Sequence, residues 1–192
     1  MEYAFHTFNH HANNGVSTTL QSLLNEKMTR AGMDLTQNLP VVVCVGSDLI
    51  IGDSLGPMVG SMIAYKTQGL GAFVYGTLAA PVTAKEVKEL REFLKRTHPR
   101  RAVIAVDAAV GAQGDIGLIK ISNEPLYPGA GTGKQLGCFG DASVIGIVAE
   151  KSLGNYALLH STRLRLVYRM AEQIADGIAT LLYDYAQVRA AQ

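Results

Sequence analysis

Three aspartates stand where carboxylate chemistry would place them. Asp48 and Asp53 lie in VCVGSDLIIGDSLGPMVG, residues 43–60, just after an apolar run, and Asp107 follows the apolar VIAV of RAVIAVDAAVG. Charged side chains are rarely buried without a reason, and Ala108, Ala109 and Val110 offer Asp107 no partner. Two carboxyls brought close together cannot both ionise comfortably. One then keeps a proton while the other stays charged, which is what general acid–base hydrolysis requires. The competing reading is structural, with Asp107 capping a neighbouring helix or tying down a loop.

Gly52-Asp53-Ser54-Leu55 spells the signature of the GDSL serine esterases. A nucleophilic serine of that class sits at the end of the first strand and needs a late Asp-x-x-His pair to supply its base. Here Ala157 stands three residues before His160, and Lys95 three before His98. Ser54 is therefore expected to help start a helix by bonding a free N–H of its first turn. A second decoy is PGAGTGKQL, residues 128–136. Pro128 occupies the position of the first glycine of a phosphate-binding loop, and Gln135 stands where a magnesium-binding hydroxyl belongs. Gly129, Gly131 and Gly133 still permit backbone N–H groups to converge on an anion or a carbonyl oxygen. A flexible connector is the alternative.

The elements that must hold these residues alternate between strands and helices. Leu20, Leu23, Leu24 and Met28 predict a helix capped by Ser17 and stopped at Gly32. Val41–Gly46 is too continuously apolar for a half-exposed strand and suits the centre of a parallel sheet. A helix over 55–66 follows, with Pro57 in its first turn, then a strand over 72–77 and an amphipathic helix over 83–96. That helix is capped by Thr83, with Val87, Leu90 and Leu94 on one face. Further strands are expected up to Asp107 and over 116–121. Residues 123–140 form a long, functional loop, and SVIGIVAE (143–150) is ambiguous between strand and helix. A final helix over 161–189 presents Leu164, Val167, Met170, Ile174, Ile178, Leu181 and Tyr185 on one face. The pattern predicts a single-domain, three-layer α/β/α fold with a mostly parallel sheet over residues 17–192. Residues 1–16, polar and holding His6, His10 and His11 without acidic or cysteine neighbours, read as a flexible, solvated arm. By the rule for open α/β sheets, the site lies beyond the carboxyl ends of the strands, in the loops 46–56 and 107–114.

The 192 residues are 48% hydrophobic and 17% charged, with a net charge of +1. No basic run beyond Arg100-Arg101 implies nucleic acid or an acidic membrane. No stretch reaches the length of a membrane span, and the N-terminus lacks a secretory pattern. Cys44 and Cys138, far apart and not in metal-ligand spacing, read as reduced thiols of a cytoplasmic protein.

VCVGSDLIIGDSLGPMVG, VYGTLAAPV, AVDAAVG, PGAGTGKQL and STRLRLVYRMAEQIADGI occur in this order over residues 40–180. Together they resemble the sporulation protein YyaC family of spore-forming bacteria, related to the germination protease of spores and, more distantly, to the maturation proteases of nickel-iron hydrogenases. The resemblance implies a phosphorylase/hydrolase-like α/β fold with a mixed sheet. It also implies a protease of the forespore or spore core. The two catalytic aspartates of the germination protease lie in blocks that match Asp53 in GDSLGP and Asp107 in VDAA, and its glycine-rich loop near the active site resembles PGAGTGK. Thr83 stands where the family usually has a histidine after Pro-Val. No histidine occupies a nickel-ligand position, so no metal or other cofactor is expected.

Three readings follow. The first is a peptidase acting on a peptide or protein of the spore. Its Asp53–Asp107 pair activates water, with Gly129, Gly131, Thr132, Gly133 and Lys134 stabilising the oxyanion or binding substrate, and Asp48 positioning the loop. The second is a non-catalytic protein that binds a peptide or protein partner on the same fold. The third is a hydrolase holding a hard cation on Asp48, Asp53 and Asp107. The apolar final helix admits a homodimer.

Overall fold

The structure is a computed structural model that describes residues 1–32, 34–35, 37–83, 85–128, 137–151 and 162–191. The strands are β1 (Glu2–His6), β2 (Val41–Cys44), β3 (Phe73–Tyr75), β4 (Val103–Gly111), β5 (Leu118–Ser122) and β6 (Ala142–Glu150). The helices are α1 (Ala12–Arg30), α2 (Leu55–Lys66), α3 (Val87–Thr97) and α4 (Leu164–Ala190). The strands make one sheet in the order β1-β5-β6-β4-β2-β3. β3, β2, β4 and β6 pair in parallel, and β5 runs against both β6 and β1.

Side-chain alternation divides the core into two layers. Val42 and Cys44 of β2 join Ile104 and Val106 of β4 under α1, α2 and α4. Val41, Val43 and Val45 turn to the other face and pack with Ala105, Val87 and Leu94, beneath α3. The α3 face expected from Val87, Leu90 and Leu94 therefore packs as the spacing predicts. The ambiguous SVIGIVAE segment is strand β6. Its β-branched residues sit between partners on both sides, β4 and β5, which is where such side chains pack best.

Several expectations need correcting. Residues 1–16 are not a flexible arm. Glu2–His6 pair with β5 along their whole length, Thr7 donates both its N–H (2.8 Å) and its hydroxyl (2.6 Å) to the Gly117 carbonyl, and α1 already starts at Ala12. Ser17 is buried inside α1 rather than capping it. The first-turn N–H of Asn13 is satisfied by the Gln173 side-chain oxygen at 3.0 Å, a cap supplied from α4. Thr83 stands a turn ahead of α3, where its N–H and hydroxyl both donate to the Glu86 carboxylate. β4 does not end at Asp107 but runs on to Gly111, because β6 continues to pair with it. Leu164, placed on the buried face of the last helix, is 52% exposed in its first turn, whereas Val167 to Tyr185 of that face are buried.

Candidate active site

The sheet order sets where a site can form. From β2 the chain crosses through α2 to β3 on one side. It then returns by way of α3 to β4 on the other side of β2. Connections leaving in opposite directions open a crevice between neighbouring strands at their carboxyl ends. β2 stops at Cys44, paired with Val106, while β4 goes on, so the crevice begins where Asp107 stands. The burial of β4 agrees: Ile104 to Val106 are buried and Asp107 to Gly111 are only half-buried.

Asp53 comes from the loop that follows β2. It lies in a single 3-10 turn, Gly52–Ser54, that leads into α2 and packs against both β4 and α4. Gly46 makes the return of this loop possible. Its φ of +146° is one that L side chains rarely adopt, and a Cβ there would lie 2.1 Å from the Asp53 carbonyl oxygen. The Gly46 N–H donates to Val82 (2.9 Å) and the Ser47 N–H to the Asp53 carbonyl (3.1 Å), so the loop is tied at both sides. Behind it α2 rides directly on the backbone just past the ends of β2 and β3. A Cβ on Gly56 would lie 2.0 Å from the Val45 oxygen, and one on Gly60 2.1 Å from that of Gly76.

The electrostatics of the pair are asymmetric. Desolvation, the largest influence on Asp107, pushes its carboxyl from the ordinary 3.8 up to about 8. The Ala108 N–H opposes this, and the Asp53 charge adds to it. Asp53 is also raised, by desolvation first, against the lowering effect of a Ser47 N–H. Asp53 acts on Asp107 as a charge, so Asp53 ionises first and Asp107 holds the proton. Ala108 N–H donates to Asp107 Oδ1 at 2.8 Å, which leaves Oδ2 to carry that proton. Cys44 lies fully buried near Asp107. Its thiol is pushed up by burial and then by the Asp107 charge, so it is no thiolate nucleophile at neutral pH.

The remaining predicted residues divide clearly. Asp48 is exposed on the loop. Gly129, Gly131, Thr132, Gly133 and Lys134 lie outside the described residues. Leu126 and Phe139, which flank them, pair as an isolated bridge in the core layer beneath α3. Ser54 caps nothing: it is buried and its hydroxyl donates to the Ile51 carbonyl at 2.7 Å. His98 is buried among Phe73, Tyr75 and Phe93, with its ring bonded to the Tyr75 hydroxyl at 2.8 Å. The donors do not form a metal site, since among the described residues no three His, Cys, Asp or Glu side chains converge. Cys44 and Cys138 are both free thiols. Sequence reasoning missed Gly46, whose signal was a glycine at the exit of an apolar strand.

Comparison with known proteins bears on most of the chain. The family model described as "Protein of unknown function (DUF1256)" matches residues 8–177. The YyaC protein of Bacillus subtilis (strain 168) is 38% identical over 171 residues, covering 88% of this chain and 80% of that protein. Among solved structures, a NiFe hydrogenase maturation protease, HycI from Thermococcus kodakarensis KOD1, aligns at a TM-score of 0.41 and 18% identity. That alignment covers 73% of this chain and 91% of the other. With the family match running through both aspartate-bearing loops and most of the sheet, the chain belongs to the DUF1256 family and is a relative of YyaC.

Proposed function

We propose that the protein is a peptidase whose acid and base are Asp107 and Asp53. What supports this reading is the placement of Asp107 where β4 runs on past the end of β2, at the switch point of an α/β sheet, with Asp53 near enough for its charge to raise it and both carboxyls raised by desolvation. In the forward step Asp53 takes a proton from water as the oxygen attacks the peptide carbonyl. Asp107 Oδ2 then delivers its proton to the departing amine nitrogen as the C–N bond breaks. The charge ends on Asp107 and the proton on Asp53, and exchange with solvent resets the pair. Action within the developing spore, on a spore peptide or protein, rests on the resemblance to the sporulation YyaC family.

The test is incubation with a library of unstructured peptides, read by mass spectrometry for new termini. Cleavage by the wild-type chain is expected, with a loss of at least about 100-fold in Asp53→Asn and in Asp107→Asn while both stay folded. Full cleavage by either variant would remove the mechanism. Saturable binding of peptides that stay intact would instead make this a binding protein on the same fold. The rate should follow a bell in pH. It should fall above about 8, as Asp107 loses its proton, and on the acid side at a pH above the ordinary carboxylate value, as Asp53 gains one.

A further inference from the structure

The loop that delivers Asp53 exposes two large apolar side chains: Leu49 is 86% exposed and Ile51 39%. Neither sits on loose backbone. The Leu49 N–H donates to Ser47 Oγ at 3.3 Å, and the Ile51 carbonyl accepts the Ser54 hydroxyl at 2.7 Å and its N–H at 3.3 Å. Both residues are thereby held in a set position relative to Asp53. Large apolar groups kept in water on an ordered loop contribute little to the fold, and two of them two positions apart are free to contact a ligand. Asp48, next to Leu49, is exposed and forms no ion pair among the described residues, and residues 46–56 contain no Lys or Arg. The loop thus presents two apolar side chains beside a negative charge that no residue of the loop itself offsets, in the same loop as Asp53.

We propose that this loop selects the substrate: an extended peptide segment with a large apolar side chain that packs on Leu49 and Ile51, followed by a Lys or Arg drawn to Asp48. The proposal rests on the reading of Asp53 and Asp107 as the reacting pair. The apolar contact supplies most of the affinity, because a surface ion pair contributes little by itself. Asp48 supplies the preference of sign.

Four fluorescein-labelled decapeptides that differ only at two adjacent central positions (Leu-Lys, Leu-Glu, Ser-Lys and Ser-Glu) are titrated against the full chain carrying Asp53→Asn, with fluorescence anisotropy as the readout. The Leu-Lys peptide is expected to bind tightest. Adding Leu49→Ser and Ile51→Ser should weaken it about tenfold, and Asp48→Lys should move the preference to Leu-Glu. All three substitutions are at exposed positions, so folding is not at stake. Equal affinity for the four peptides, or unchanged binding after the double substitution, overturns the proposal. A double variant that only splits a dimer in sedimentation, with peptide binding intact, also overturns it. Wild-type chain that binds Leu-Lys tightly and leaves it whole supports the docking loop and removes the peptidase reading. Cleavage indifferent to both positions does the reverse.

Discussion

A carboxyl keeps its proton at neutral pH only if the surroundings penalise the charge more than water would reward it. Asp107 meets that condition on the half-buried stretch of β4 just past the buried Ile104–Val106, where desolvation is the largest influence on its carboxyl. Folding therefore holds a proton that the unfolded chain releases over the window from 3.8 to about 8. The unfolded state binds fewer protons in that window, so this residue's contribution to stability falls as pH rises through it and levels off above. Asp107→Asn removes the penalty. It is expected to stabilise the protein at pH 8 by about 1–3 kcal/mol in urea unfolding, and by nearly nothing at pH 4. The figure is well below the full shift because the carboxyl keeps some contact with water. An Asn variant with the same gain at both pH values would show that the native carboxyl is not desolvated. Both aspartates were recognisable as residues, from their place after apolar runs. Which of the two would hold the proton was not, because burial depth and an N–H on Oδ1 come from packing.

At the scale of elements, α2 shows local chemistry agreeing with the fold. Pro57 in the first turn and the apolar spacing predict its span, and the helix occupies Leu55–Lys66. Its glycines have a packing reason that spacing alone does not reveal, since Gly56 and Gly60 let the helix rest on the carbonyls of Val45 and Gly76. Gly60→Ala is expected to lower the urea midpoint at unchanged slope, a loss of about 2–4 kcal/mol, because the Gly76 backbone just past β3 is in the way of a methyl group. A midpoint that does not move would mean that helix and sheet are further apart than the structure has them. The start of α1 shows the opposite case. Its cap is Gln173, 160 residues away in the chain, and no window of sequence around Ser17 contains it. β4 likewise outruns its predicted end because the length of a strand is decided by its partner.

For the whole molecule, the N-terminal strand closes one side of the sheet. Glu2–His6 cover the edge of β5, and Phe5 packs against the main core. Removal of residues 1–6 is expected to lower the melting temperature by several degrees and to promote self-association through the bared β5 edge, measured by calorimetry and light scattering. A truncated chain that melts like the intact one would reinstate a loose arm. The polar, histidine-bearing composition of this segment hid its role, since an edge strand has half its surface in water and need not look apolar. Order along the chain, the apolar runs and the carboxylates that follow them were decided locally, because strand and helix periodicity is written in near neighbours. The α/β class, the position of α2 and the two candidate aspartates follow from that. The crevice itself was decided only by tertiary structure. The order β6-β4-β2-β3 brings the loop of Asp53 and the strand of Asp107, 54 positions apart, near enough for the charge of one to act on the other, and burial raises both through the energy of a charge removed from water.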